Sequence, residues 1–164
     1  MKIRFITVGG TIDKVYFDQL SQYQVGPPGV ERILQDVPVG FEYEIESLMR
    51  KDSLDMTDED RNLVAAAVER SPESRILITH GTDTMIETAR RLTGLTNKRV
   101  VLTGAMQPAG FRNSDATFNL GLALGVLLSD SGSGVWLAMS GQVFDPYSVR
   151  KNRDLGRFEP VGTN

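Results

Sequence analysis

The sequence predicts an α/β fold, a doubly wound and mostly parallel sheet with helices on both faces. Short apolar runs typical of strands cover residues 3–8, 41–48, 76–79, 100–103 and 135–139. Helical segments separate them, at residues 28–36, 55–70, 84–92 and 114–128. Because strands and helices alternate in this way, the strands are expected to run parallel, with helices packed on both sides.

Local signals indicate where the elements begin and end. Pro28 fits the first turn of a helix, Thr57 is placed to cap the second helix, and Thr84 with Glu87 matches a capping box. The segment 114–128 is apolar on most sides and is predicted to be largely buried. Residues 9–27 are predicted to form a polar loop and residues 141–164 a less regular tail.

Composition narrows the range of functions. The chain has 164 residues, no cysteine, one histidine (His80) and a formal net charge of −3. A thiolate nucleophile, a disulfide scaffold and a site with several histidine metal ligands are therefore excluded. The Lys and Arg residues are scattered, which argues against nucleic-acid or membrane partners.

The sequence also indicates where the protein is located. No signal peptide pattern precedes the first strand, and no apolar run approaches the roughly 20 residues of a membrane span. We therefore expect residues 1–164 to form a single domain in the cytoplasm.

Chemistry-bearing residues follow the predicted strands. Thr11 comes after Gly9 and Gly10 at the end of the first strand, and Thr82, Asp83 and Thr84 follow the third. Ligands of such sheets bind at the carboxyl ends of the strands. The paired glycines alone favour a tight turn over a site, whereas three consecutive capping-type side chains exceed what one helix start requires.

Three other residues have ordinary structural interpretations when taken singly. His80, at the end of a buried strand, is predicted to be a hydrogen-bonded structural residue rather than a base. Lys151 looks like one of many solvated cations, and Tyr23 like a loop aromatic packed on the domain.

Taken together, the motifs resemble the bacterial-type L-asparaginases in order and spacing over nearly the whole chain. The matching segments are Val8-Gly9-Gly10-Thr11-Ile12, Tyr23-Gln24-Val25-Gly26, Asp52-Ser53-Leu54-Asp55-Met56, His80-Gly81-Thr82-Asp83-Thr84-Met85, Gly104-Ala105-Met106-Gln107-Pro108, Asp115 with Phe118-Asn119-Leu120, and Val149-Arg150-Lys151.

The resemblance implies hydrolysis of L-asparagine to L-aspartate and ammonia through a threonine acyl-enzyme, with weaker activity on glutamine. It implies that Thr11 is the nucleophile, helped by Tyr23, and that Thr82, Asp83 and Lys151 form a second catalytic group. Substrate would be bound by Gly10, Ser53, Thr82 and Asp83. A threonine hydroxyl needs a neighbouring base to attack, and nothing in this pattern calls for a metal or an organic cofactor.

The chain departs from the family in three places. It resembles only the N-terminal domain, so we expect the usual smaller C-terminal domain, with its acidic group for a neighbouring active site, to be absent. Either another subunit completes the site, which leads us to expect a homo-oligomer, or the α-amino group is held less firmly. Leu54 stands where a polar residue is common, and Asp13 adds a charge near Thr11. Two alternatives stay open, a non-catalytic amino-acid-binding domain and an ammonia-producing subunit of a tRNA-dependent amidotransferase.

Overall fold

The secondary structure was obtained from a computed structural model, which describes residues 1–17, 22–95, 97–129 and 132–162. The strands, in chain order, are β1 (Lys2–Gly9), β2 (Lys14–Phe17), β3 (Gln22–Val25), β4 (Glu42–Lys51), β5 (Arg75–Thr79), β6 (Arg99–Thr103), β7 (Gly134–Met139), β8 (Gln142–Phe144), β9 (Val149–Asn152) and β10 (Arg157–Pro160). The helices are α1 (Gly29–Asp36), α2 (Asp58–Arg70), α3 (Met85–Leu92) and α4 (Ala116–Leu128).

The central sheet has six strands in the order β4-β1-β5-β6-β7-β8. The first five run parallel, and β8 pairs antiparallel with β7 at one edge. The predicted α/β fold with a mostly parallel sheet is confirmed. The interior strands are buried on both faces, as their continuous apolar sequences predict.

Helices cover both faces of the sheet. Helices α2 and α3 pack with Ile6, Ile78 and Leu102 on one face. Helices α1 and α4 pack with Phe5, Leu77 and Val101 on the other. Alternate residues of a strand point to opposite faces, so each interior strand contributes to both cores.

The chain order of the strands reverses around β1. From β1 the chain crosses to β4 on one side and then returns to β5 on the other. In sheets of this kind the crevice beside such a reversal, at the carboxyl ends of the strands, is where ligands bind. Thr11 follows β1 and Thr82 follows β5, so the topology brings their loops to this crevice.

Two regions predicted to be irregular contain strands. The predicted loop at residues 9–27 includes an antiparallel hairpin, β2 with β3, and residues 18–21 between these strands lie outside the described residues. The predicted irregular tail contains β8 and a second hairpin, β9 with β10. Both hairpins escape prediction because few of their residues are buried.

Helix α4 is less buried than its sequence predicts. Ala116, Leu120 and Leu127 face the sheet, whereas Phe118 is 65% exposed. The prediction of a largely buried helix is therefore wrong for this chain. The helix is apolar all round, but within the described residues the sheet covers only one side of it.

Candidate functional site

Three small residues bring the ends of β1, β4 and β5 into contact. A Cβ atom on Gly10 would overlap the backbone of Gly81, and a Cβ on Gly81 would lie 2.5 Å from the Ser53 Oγ. Gly10 also donates its N–H to the Lys51 carbonyl at 2.9 Å. Of the predicted substrate-binding residues, Gly10 and Ser53 thus both lie against Gly81, which precedes Thr82.

Thr11 begins a 3-10 turn, Thr11–Asp13, directly after the sheet ends. Gly10, at the start of that turn, has φ of +90°, a conformation that L-residues with side chains rarely adopt. Thr11 is half-buried and, together with Lys14, Tyr23, Pro108 and Phe111, lines a cavity of about 210 Å³. The structure therefore brings two predicted catalytic residues, Thr11 and Tyr23, to the same cavity.

Tyr23 lies on the β2–β3 hairpin beside two other aromatic rings. Its ring centroid is 5.3 Å from that of Tyr16 and 6.1 Å from that of Phe111. These separations are typical of tilted aromatic pairs, which add modest attraction beyond their buried area. The ring is still half exposed, because the β2–β3 hairpin does not enter the core.

Lys151 contacts both Thr82 and Asp83. Its Nζ donates to the Thr82 Oγ1 at 2.8 Å and to the Asp83 Oδ1 at 2.9 Å. Thr82 is buried, and the Lys151 side chain is only 14% exposed. The prediction of a solvated cation is therefore wrong, because the structure places the Lys151 ammonium group in a nearly enclosed contact with the loop after β5.

The predicted capping box of α3 is wrong. Thr84 occupies the N-cap position but makes no capping bond, and its hydroxyl donates to the Ser53 carbonyl at 2.7 Å. Thr82 and Asp83 bind Lys151 instead of the helix start. None of the three capping-type side chains caps the helix, which favours their interpretation as site residues. The Thr57 cap predicted for α2 is confirmed, with Asp60 completing a capping box.

His80 is a fully buried structural residue, as predicted. Its Nδ1 lies 2.8 Å from the Gly81 carbonyl, and its Nε2 lies 2.8 Å from the Thr88 Oγ1. Because a carbonyl only accepts, Nδ1 must donate, and the neutral ring then accepts the Thr88 hydroxyl proton at Nε2. Burial lowers the pKa of His80 to about 4, so the ring is neutral at pH 7.

Two further ion pairs border the site. Lys14 binds Asp52 at 2.7 Å, and this ammonium group is the main reason why the pKa of Asp52 lies below its ordinary value. Arg153 contacts the Asp83 Oδ1 at 3.2 Å. Sequence reasoning missed Lys14 and Arg153, since neither belongs to a recognisable motif and each lies on a hairpin that was not predicted.

Asp13 lies buried immediately behind Thr11. Its carboxylate accepts the Gly29 N–H, at the start of α1, at 2.6 Å, and its carbonyl accepts the Gly26 N–H at 2.7 Å. Burial raises the pKa of Asp13 to about 7. Asp13 thus ties the base of the Tyr23 hairpin to α1 through a carboxyl group that titrates near neutral pH.

Within the described residues, no helix is long and apolar enough to cross a membrane. No group of three or more His, Asp and Glu side chains in the described ranges is arranged to hold a metal ion.

The curated relatives of this chain include proteins named L-asparaginase and glutaminase-asparaginase. The chain is 35% identical over 160 residues to a Haemophilus influenzae protein named "Probable L-asparaginase periplasmic", covering 91% of this chain and 46% of that one. It spans about half the length of the curated relatives it matches.

Solved structures agree with this result. "The thermostable L-asparaginase from Thermococcus kodakarensis" matches with a TM-score of 0.86 and 28% identity, over 100% of this chain and 52% of that one. "Probable Cytoplasmic L-asparaginase from Campylobacter jejuni" matches with a TM-score of 0.84 and 26% identity, over 99% and 53%. Residues 2–157 match the family described as "Asparaginase, N-terminal". The chain therefore belongs to the asparaginase family and corresponds to its N-terminal domain.

Proposed function

We propose that this domain hydrolyses the side-chain amide of L-asparagine, giving L-aspartate and ammonia, with Thr11 as nucleophile. The observation that carries the proposal is the contact of Lys151 with Thr82 and Asp83, beside the loop that bears Thr11. This pair lies at the carboxyl end of a parallel sheet, where ligands bind. A hydroxyl hydrogen-bonded to a lysine ammonium can take part in proton transfer.

In the first step, the Thr11 Oγ attacks the amide carbon, and its proton passes to the hydroxyl of Tyr23, which lines the same cavity and gives its own proton to the amide nitrogen. The tetrahedral intermediate carries its negative charge on the former amide oxygen. We propose that the backbone N–H groups of Thr11 and Thr82 stabilise this oxyanion. The carbon–nitrogen bond then breaks, and ammonia leaves with a proton supplied at the site, which creates an ester on Thr11.

In the second step, water hydrolyses that ester. We propose that the Thr82 hydroxyl accepts the proton of the attacking water while it passes its own proton to the departing Thr11 oxygen, and that the Lys151 ammonium, which donates to Thr82 Oγ1 at 2.8 Å, stabilises the negative charge that develops on Thr82. The carbon–oxygen bond to Thr11 breaks, the Thr11 hydroxyl regains its proton, and L-aspartate is released.

Substrate binding involves both small and charged groups. We propose that Ser53 and the Gly10 backbone receive the α-carboxylate, and that Asp83 with Thr82 faces the α-ammonium group. Ser53 is buried, and its side chain packs against the Gly81 backbone. Pre-positioned groups of this kind lower the entropic cost of reaching the transition state.

The test is direct measurement of ammonia release from L-asparagine, with L-glutamine as a second substrate. We expect release from the wild-type chain and its loss in Thr11→Ala. We expect Lys151→Met to lose at least about a hundredfold in rate while keeping most of its folding stability. An unchanged rate in Thr11→Ala would refute the nucleophile assignment.

The same experiment separates the alternative functions. Binding of L-asparagine without ammonia release would favour the amino-acid-binding domain. Release that requires a partner protein or tRNA would favour the amidotransferase subunit. We retain the homo-oligomer as part of this proposal, and sedimentation at assay concentration tests it. The names of the relatives give two different compartments, so the cytoplasmic location stays a prediction.

A further inference from the structure

Two cations bind the same oxygen of Asp83. Lys151 Nζ lies 2.9 Å and Arg153 Nη2 lies 3.2 Å from the Asp83 Oδ1. The two cations differ in their surroundings, because Lys151 is nearly enclosed whereas the Arg153 side chain is 68% exposed. Arg153 lies in the turn between β9 and β10 and approaches the carboxylate from the solvent side.

Among the ion pairs around Asp83, the cationic side chains outnumber the anionic ones. Lys14 pairs with Asp52, and Lys151 and Arg153 share Asp83, so three cationic side chains face two anionic ones. Lys151 also contributes to the lowered pKa of Asp52, which places its charge within reach of both pairs. Without Arg153 the same group would be neutral.

Arg153 has little to contribute to folding. An exposed ion pair of one mobile side chain adds little stability, because solvent screens the charges and ordering the side chain costs entropy. Its field nevertheless acts on any ligand that approaches Asp83, since like charges a few ångströms apart repel even in a partly solvated crevice. The main effect of Arg153 is therefore electrostatic, and it acts on the ligand that binds at Asp83.

We propose that Arg153 is a specificity-determining residue that weakens binding of a substrate's α-ammonium group at Asp83. It thereby widens the substrate class from amino-acid amides to ω-monoamides of dicarboxylic acids that carry no amino group. This inference rests on the proposed function, because it takes Asp83 as the group that faces the α-ammonium.

The test compares two substrates that differ only in the ammonium group. L-Asparagine and succinamic acid share the amide and the carboxylate, and ammonia release gives kcat/KM for each. We expect Arg153→Gln to raise the ratio of kcat/KM for L-asparagine to that for succinamic acid about three- to tenfold. The change should come from a lower KM for L-asparagine, and Arg153→Glu should raise the ratio further.

Arg157→Gln is the matched control. Arg157 lies on the same hairpin, its side chain is 58% exposed, and it contacts Glu159 at 3.6 Å instead of Asp83. The substitution removes the same charge from the chain, so a general charge effect would change both variants alike. An unchanged ratio in Arg153→Gln, or an equal change in Arg157→Gln, would overturn the inference.

A binding measurement separates this inference from the catalytic proposal. Titration calorimetry gives Kd for L-aspartate and succinate, which again differ by the ammonium group. If no variant releases ammonia from either substrate, the proposed function fails, and the Kd ratio still reports on Arg153. We expect Arg153→Gln to shift that ratio towards L-aspartate. A ratio that does not move, or the absence of binding by both ligands, refutes the role given to Arg153.

Discussion

The backbones of Gly10 and Gly81 lie against each other, with no room for a Cβ atom on Gly10. This contact joins the turn that carries Thr11 to the loop that carries Thr82. The two loops leave neighbouring strands, and the close approach of their glycines fixes how far apart the two threonines lie. The site therefore depends on a packing constraint as well as on its reactive side chains.

We predict that Gly10→Ala destabilises the fold and abolishes ammonia release. The new Cβ would overlap the Gly81 backbone, and φ of +90° is unfavourable for alanine. We expect a loss of about 2–4 kcal/mol in the free energy of unfolding, measured in urea.

Gly121→Ala provides the control for this substitution. Gly121 lies within α4, and nothing lies within 4 Å of its added Cβ. Alanine is the better helix former, so a gain of about 0.5–1 kcal/mol is expected. Equal effects in the two variants would show that the Gly10–Gly81 contact does not constrain the fold.

Tyr23→Phe separates the hydroxyl from the aromatic ring. The ring contacts with Tyr16 and Phe111 survive the substitution, so the melting temperature should change little. If the hydroxyl relays the proton of Thr11 to the leaving amide nitrogen, kcat should fall by about a factor of 10² to 10⁴. A fall in the melting temperature that parallels the fall in kcat would instead indicate a packing role.

The sheet was predictable because its strands carry their own signal. The runs at residues 3–8, 76–79 and 100–103 are continuous and apolar, and no end of an observed strand differs from them by more than one residue. A strand that is buried on both faces of a sheet requires a continuous apolar sequence, and few other structures require one. The loops after β1 and β5 were predictable as site positions for the same reason, since the strand order determines where they meet.

The two hairpins were not predictable, because their strands bury few residues. Val15, Tyr16 and Phe17 are apolar but exposed, so no alternation with a buried face marks β2. Lys151 lies on the second hairpin and meets Thr82 across 69 residues of sequence. Local pattern cannot indicate such a contact, and only the resemblance to a family singled Lys151 out.

Asp13→Asn tests a carboxyl group that opposes folding above neutral pH. The pKa of Asp13 is raised from 3.8 to about 7 in the fold, so between these values the folded state binds more protons than the unfolded state. Stability from this group is therefore present below pH 4 and is lost as the pH rises to 7, on the order of 4 kcal/mol. Asparagine still accepts the Gly29 N–H but cannot ionise. Relative to wild type, the variant should gain stability between pH 4 and pH 7, and equal urea midpoints at every pH would contradict the role of Asp13.

His80→Gln tests the opposite dependence. The pKa of His80 is lowered from 6.5 to about 4, so here the unfolded state binds more protons between these values. The stability from the neutral ring is present above pH 6.5 and is lost as the pH falls to 4, on the order of 3 kcal/mol. Glutamine can donate to the Gly81 carbonyl and accept from Thr88, as the ring does. The difference in unfolding free energy between wild type and variant should therefore shift in favour of the variant as the pH falls from 6.5 to 4.

Because Asp13 and His80 change stability in opposite directions between pH 4 and pH 6.5, the pH profile of the wild type alone would hide both effects. The two variants reveal them separately, provided that the effects are additive. A difference that does not change with pH would mean that His80 titrates alike in the folded and unfolded chains.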